Sequence, residues 1–284
     1  MEDKSESWSE IIKPKRGWLD INLKEIWRYR DLIILFVRRD FVSVYKQTIL
    51  GPLWLFIQPL FTTFIFYFVF NQVAKISTDG VDPILFYLSG ITLWNYFSDC
   101  FSKTSNTFVA NASIFGKVYF PRLTTPISIV ISNLIKLGIQ VVLFVFIAIY
   151  QVMFNHAEIH INNTILMLPI LILLMAIMGL GMGILFSALT TKYRDLSFLL
   201  TFGIQLLMYA TPIIYPLSFT SGNLHQLLSY NPITPIIENF RYSFFGIGTF
   251  DVAGLIYSAI FSIGVLLIGI LFFNKVENKF MDTV

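Results

Sequence analysis

Charge is what this chain has least of. Only 13% of its 284 residues are charged, against 56% hydrophobic and 17% aromatic, a balance that excludes an ordinary soluble surface. Cysteine is nearly absent: Cys100 stands alone, so no intrachain disulfide can form. Histidine is scarce as well. His156 and His160 have i, i+4 spacing with Glu158 between them, but no third ligand accompanies them, so a solvated loop is expected and no metal. No G-x-x-x-x-G-K-[ST] run occurs, which leaves the chain without a phosphate-cradling loop of its own. The densest glycine cluster, Gly179 to Gly183, lacks the lysine and suits close approach of helices. Asp82, Asp99, Asp195, Glu238 and Asp251 are scattered singly with no histidine in range, and Glu158 has only the two loop histidines beside it, so no catalytic residue is expected.

What is present in quantity is long apolar sequence. The uncharged stretch Gln47 to Ala74 exceeds the roughly 20 residues that a helix needs to cross a hydrocarbon core of about 30 Å. Further charge-poor runs give six expected spans, at about 50–72, 83–101, 125–154, 164–190, 196–215 and 252–273. The run from Leu196 to Ile237 is longer than one span needs and is broken by Pro212, Pro216, Gly222, Pro232 and Pro235. Short re-entrant helices are therefore expected at about 222–245, allowed only where their backbone is buried in protein or lines a wet cavity. The expectation is an all-α membrane protein in three parts: a segment 1–46, a membrane domain 48–274 and a tail 275–284.

The basic residues orient this array. With the N-terminus in the cytoplasm, 17 of the 20 Lys and Arg fall on cytoplasmic segments, so both termini are expected there. That bias accounts for the net charge of +3, and no nucleic-acid partner is implied. The polar start "MEDKSESWSE" has no apolar h-region, so no cleavable signal peptide is expected.

Ahead of the first span, residues 33–47 read as an amphipathic interfacial helix. At 100° per residue Ile34, Val37, Phe41, Val44 and Tyr45 fall on one side, and Arg39, Asp40, Ser43, Lys46 and Gln47 on the other, while Arg38 and Arg39 can meet anionic headgroups. The helix serves either as an anchor for the first span or as a platform for a cytoplasmic partner.

Four stretches carry a family resemblance: "VYKQTILGPLWLFIQPL" (Val44 to Leu60), "GKVYFPRLTTP" (Gly116 to Pro126), "KYRDLSFLLTFGIQLLMYATPIIYPLS" (Lys192 to Ser218) and "NPITPIIENFR" (Asn231 to Arg241). In order, across nearly the whole chain, they resemble the membrane subunits of ABC-2 type exporters of bacterial surface polysaccharides, the O-antigen, capsule and teichoic acid permeases. The resemblance implies the ABC-2 (type V ABC transporter) permease fold, in a homodimer of six-span subunits within the bacterial inner membrane. It also implies two copies of a separate nucleotide-binding subunit that holds ATP and Mg, with no cofactor in this chain. The implied cargo is a polysaccharide linked to undecaprenyl diphosphate; the alternatives are an ABC-2 permease for another lipid or a drug, or a polyprenyl-lipid-processing membrane enzyme. It further implies a coupling region made by the interface helix, with Arg38, Arg39 and Lys46, and by the loop from Lys103 to Arg122, with Phe115, Lys117 and Tyr119. Channel-lining candidates are Trp54, Phe64, Tyr67, Tyr87, Trp94 and Lys136, and Glu238 and Arg241 belong to an outer gate.

The residues fit such a role independently. Gradient-driven transport leaves acids or histidines inside the membrane, yet none falls in the body of an expected span, with Asp99 near the inner end of the second. A separate ATPase is favoured. Lys136 lies about 15 Å into the third span, with Asn133 and Gln140 at i−3 and i+4. It either snorkels to the cytoplasmic face or faces a cavity. Glu238 and Arg241, three apart, are expected to pair and pin a re-entrant turn.

Overall fold

A computed structural model describes residues 23–46, 48–193, 195–248 and 250–280; the expectations made for residues 1–22, Gln47, Arg194 and 281–284 lie outside them. Every regular element among the described residues is helical. Two helices precede the first span: α1 (Leu23–Arg28) and α2 (Arg30–Tyr45). The chain then turns at Gly51, whose φ of 49° suits glycine, and Pro52 enters the first turn where its missing N–H costs nothing. Helix α3 (Trp54–Phe66) continues into one wider π turn, Tyr67–Val73.

A short connection leads back into α4 (Pro83–Ser105). Asp82 caps it, its Oδ1 accepting from the amides of Ile84 at 3.0 Å and Leu85 at 3.1 Å, and Pro83 occupies the first turn. Gln151 Nε2, near the end of the third expected span, donates to the same oxygen at 3.1 Å. Two one-turn helices follow, α5 (Thr107–Ala110) and α6 (Ala112–Phe115), and then the long α7 (Thr124–Asn155). His156, at φ 53°, ends α7 in the left-handed region. The chain returns through α8 (Leu168–Lys192), α9 (Leu196–Tyr209), the short α10 (Gly222–Ser229) and α11 (Thr234–Phe245), and α12 (Val252–Phe280).

Helix α4 is the axis of the bundle. Every residue from Leu85 to Trp94 is buried, and α3, α7, α8, α9 and α11 surround it. The glycines of α8 make this possible. A Cβ at Gly183 would fall 2.4 Å from Thr104 Cβ, and one at Gly179 2.8 Å from Cys100 Cβ, so α8 lies against α4 at backbone range. On its other side a Cβ at Gly181 would meet the Leu266 amide nitrogen of α12 at 2.7 Å. The run Gly179 to Gly183 is thus a packing stripe.

Four described stretches are long and apolar enough to cross a membrane: Gly51–Val73, Thr124–Asn155, Asn163–Lys192 and Val252–Val276. The other two of the six expected spans differ. Helix α4 has the length, but it carries Asn95, Asp99 and Lys103 and is enclosed by protein instead of lipid. The span expected at 196–215 is a helix of 14 residues, about 21 Å long, which stops at Tyr209 ahead of Pro212. Helix α12 runs past the apolar span, which ends at Val276, into the expected tail as far as Phe280.

Candidate functional site

The end of the bundle that carries α2 is the basic end, and a chain of aromatic rings organises it. Phe36 of α2 meets Phe120 edge-on with ring centroids 5.7 Å apart, Phe120 meets Phe115 of α6 at 5.6 Å, and Phe115 meets Phe108 of α5 at 5.9 Å. Phe108 in turn stacks on Phe273 of α12. All five rings are buried. The connection between α4 and α7 is therefore a structured plug that joins α2 to the last helix.

The plug presents one exposed tip, Gly116 to Tyr119, where Lys117, Val118 and Tyr119 all face outward. Tyr119 donates its hydroxyl to Glu25 Oε1 of α1 at 3.3 Å. Arg122 belongs elsewhere: it is 5% exposed, with its guanidinium 5.5 Å from the Phe115 ring centre. At the end of the expected coupling loop, Arg122 is part of the packing beneath the tip, because Pro121 turns the chain inward and α7 begins two residues later.

Helix α2 lies along α7. The side against the bundle is centred on Phe36, with Tyr29 and Leu32 beside it, whereas Ile34, Leu35, Arg38 and Val42 are exposed. Of the side assigned as polar, Arg39, Ser43 and Lys46 are exposed and Asp40 lies toward the bundle; of the apolar side, Val37 and Phe41 are half-buried and Ile34 is exposed. Arg39 bonds Asp40 at 2.8 Å while covering the Phe36 ring at 4.7 Å. Lys46 is exposed at the helix end.

Lys136 has a partner that the sequence does not announce. Its Nζ donates to Asp99 Oδ2 of α4 at 2.7 Å. Lys136 stands 12 residues, about 18 Å, along α7 from Thr124, and Asp99 six residues, about 9 Å, from the Ser105 end of α4. The lysine thus reaches back along the bundle to a carboxylate, which is the snorkelling geometry with a counter-ion supplied. Lys103, one turn beyond Asp99, donates to Asn133 Oδ1 at 3.0 Å. The i, i+4 spacing of Asp99 and Lys103 on α4 is the one signal in the sequence that points to these contacts.

At the opposite end Arg241 of α11 is a hub. It is 4% exposed, and it donates from Nη1 to Pro212 O at 2.6 Å and from Nη2 to Ile213 O at 3.0 Å. Longer bonds reach Phe86 O and Ser89 Oγ of α4, each at 3.4 Å, and the guanidinium lies 3.6 Å from the Phe86 ring centre. Glu238 Oε1 accepts from it at 3.4 Å, one helical turn away. Three segments meet on one side chain, and the geometry is that of a clamp.

The aromatic candidates divide. Trp54 and Phe64 are exposed along α3, beside Phe61, Ile65 and Phe68. Tyr67 is half-buried and accepts from Gln72 Nε2 at 2.6 Å. Tyr87 and Trp94 are buried in the core, Tyr87 against Phe66 and Phe86 and Trp94 against Phe97, because α4 is the enclosed helix. Neither lies on a face that a second copy could meet. His160 reaches Glu158 at 3.7 Å in an exposed loop, and no cluster of three metal-binding side chains occurs among the described residues.

The described residues thus form a multi-helix bundle with apolar spans long enough to cross a membrane, an aromatic plug at one end and an arginine clamp at the other. Residues 31–245 match the ABC-2 type transporter family, and the chain belongs to that family. It is 27% identical over 254 residues to an O-antigen export system permease protein, RfbA, of Klebsiella pneumoniae, covering 89% of this chain and 94% of that protein. A protein of the same name from Myxococcus xanthus is 23% identical over 92% of this chain and 98% of its own length. The polysialic acid transport protein KpsM of Escherichia coli is 21% identical over 82% of this chain and 89% of its own.

Proposed function

We propose that this chain is the membrane subunit of an ATP-driven exporter of lipid-linked surface polysaccharide. Two copies work with two copies of a separate nucleotide-binding subunit in a bacterial inner membrane, both termini cytoplasmic, on a glycan carried by undecaprenyl diphosphate. The observation that carries the reading is the ring chain from Phe36 to Phe273. A partner that pushes on the tip Gly116 to Tyr119 pushes at once on α2 and α12, since close-packed rings transmit displacement rather than absorb it. Kinship with O-antigen and polysialic acid permeases supports a glycan cargo.

In this mechanism α4 and α9 complete six crossings, which returns the chain to the side it began on. ATP-driven closure of the partner moves the plug, the helices packed on it shift, and the glycolipid advances past α10 and α11. The exposed rings Trp54 and Phe64 offer apolar faces where two copies meet. A permease for another lipid or a drug is the second reading, since the coupling plug is indifferent to cargo.

Co-purification of this chain with the ATPase encoded beside it tests the proposal, followed by ATP turnover with and without polyprenyl-linked glycan. A stable two-plus-two complex whose hydrolysis responds to the glycolipid supports it. Failure to associate with any nucleotide-binding subunit overturns it, and association with a response only to other lipids or drugs favours the second reading.

A further inference from the structure

Helix α2 has a second long side, turned away from the bundle. Arg30, Ile34, Arg38, Val42 and the cap residue Lys46 recur along it every four residues, and Trp27 precedes them by three. All six are exposed, Trp27 at 70%, Ile34 at 63% and Val42 at 47%, with Leu35 exposed beside them. At 1.5 Å per residue successive rungs stand about 6 Å apart, so basic and apolar groups alternate and the cations repeat at about 12 Å.

The cations on this side point outward with their charge uncommitted. Arg39 does not belong with them, since it pairs with Asp40 at 2.8 Å and covers the Phe36 ring. Arg38 and Lys46 make no ion pair among the described residues, and Arg30 lies over the Trp27 ring at 5.9 Å. Asp31 is the one acid among the exposed residues of α2.

A protein partner and a bilayer could each cover such a side, and the chain that follows decides between them. Ile49, Leu50, Leu53 and Trp54 carry the exposed apolar run straight on into the first span, which begins at Gly51. Val42 and Lys46 therefore stand at the membrane boundary. There apolar side chains turn toward the acyl region while Arg and Lys extend to the phosphates, which is what an alternating ladder permits. We propose that this side of α2 binds the anionic glycerophospholipids of the bilayer, with Arg30, Arg38 and Lys46 as headgroup contacts and Trp27, Ile34, Leu35 and Val42 as the apolar footing. The headgroup contacts thus differ from the expected Arg38 and Arg39, and they hold whatever the cargo. Phe36, on the opposite side of the same helix, begins the ring chain, so lipid that holds α2 also holds this ring against Phe120.

The buried Cys100 leaves a bimane label free to react at Leu35→Cys alone. The labelled full chain is reconstituted in bilayers in which either phosphatidylglycerol or phosphatidylcholine carries brominated acyl chains, and quenching by each gives their relative affinity for this side of α2. Phosphatidylglycerol is expected to be preferred. Arg38→Gln lowers the preference about fivefold at low salt, the scale of one basic residue at an anionic surface, and the triple variant with Arg30→Gln and Lys46→Gln abolishes it. Arg38→Lys keeps the preference within about twofold, and Lys75→Gln, exposed beyond the far end of the first span, leaves it unchanged. Equal quenching by both lipids in the chain with its native cations overturns the proposal, as does a preference that survives the triple variant or falls equally in Lys75→Gln. A label that neither lipid quenches also overturns it and gives this side of α2 to a protein partner.

Discussion

Phe108 stacks on Phe273 with ring centroids 4.5 Å apart and planes inclined by 30°, so a helix of one turn between α4 and α7 is fixed to the last helix of the chain. Aromatic pairs of this kind are worth about 0.5–1.5 kcal/mol beyond the burial of their area. Phe108→Leu keeps most of the apolar volume and removes the stack. The expected outcome is nearly normal membrane yield, with ATP turnover of the assembled complex no longer responsive to cargo. A cargo response as strong as in the original would show that force does not travel through this pair.

The exposed tip and the buried arginine below it should separate cleanly. Lys117→Glu combined with Tyr119→Ala removes surface groups only, so the subunit is expected to fold normally and to co-purify with its ATPase partner far less well. Arg122→Glu instead puts a carboxylate into a site that is 5% exposed, facing the Phe115 ring. Its cost of about 3–5 kcal/mol, the scale of an uncompensated buried charge, is expected to appear as lost membrane yield before any question of coupling arises.

The pair Asp99–Lys136 gives a double-mutant test. Asp99→Asn or Lys136→Met alone strands one charge between helices, for which about 3 kcal/mol is the expected order. The double variant leaves no charge stranded and should recover much of the loss. Thermal unfolding of the detergent-solubilised protein measures all four forms; strictly additive losses would mean that the two groups do not act as a pair.

Arg241→Lys tests the clamp. Lysine keeps the charge but cannot serve Pro212 O, Ile213 O and Ser89 Oγ from one planar fork. A fall in unfolding temperature is expected, with faster proteolysis between Ala210 and Ser221 where the chain has lost its anchor.

Gly183→Ala is the simplest packing test. The added methyl would start 2.4 Å from Thr104 Cβ, so α8 and α4 must part, at about 1–3 kcal/mol. Gly203, with nothing within 4 Å of its would-be Cβ, accepts the same change without cost, and unfolding temperature separates the two.

Much of this architecture is legible in the sequence, for reasons that are local. The glycine stripe of α8, the proline breaks after Tyr209 and the i, i+3 pair Glu238–Arg241 each depend on neighbours in sequence. The ring chain does not: with 29 phenylalanines in the chain, nothing marks Phe36, Phe108, Phe120 and Phe273 as the ones that meet. Arg241 was misjudged in extent for a related reason, since most of its partners are backbone carbonyls that no side-chain pattern betrays. Tyr87 and Trp94 mislead because an aromatic residue on a span reads the same whether the helix faces lipid or lies enclosed.

The enclosure of α4 bears on the order in which the protein can be built. Ser89, Thr92, Thr104 and Ser105 are covered by neighbouring helices, and α8, the neighbour in closest register, is synthesised some sixty residues after α4 ends. Asp99 gains its Lys136 partner with α7, but until α8 arrives α4 meets lipid with hydroxyls that lipid does not cover. Helix α4, made early, is therefore among the last to settle, and a chain halted before α8 would be a substrate for membrane quality control.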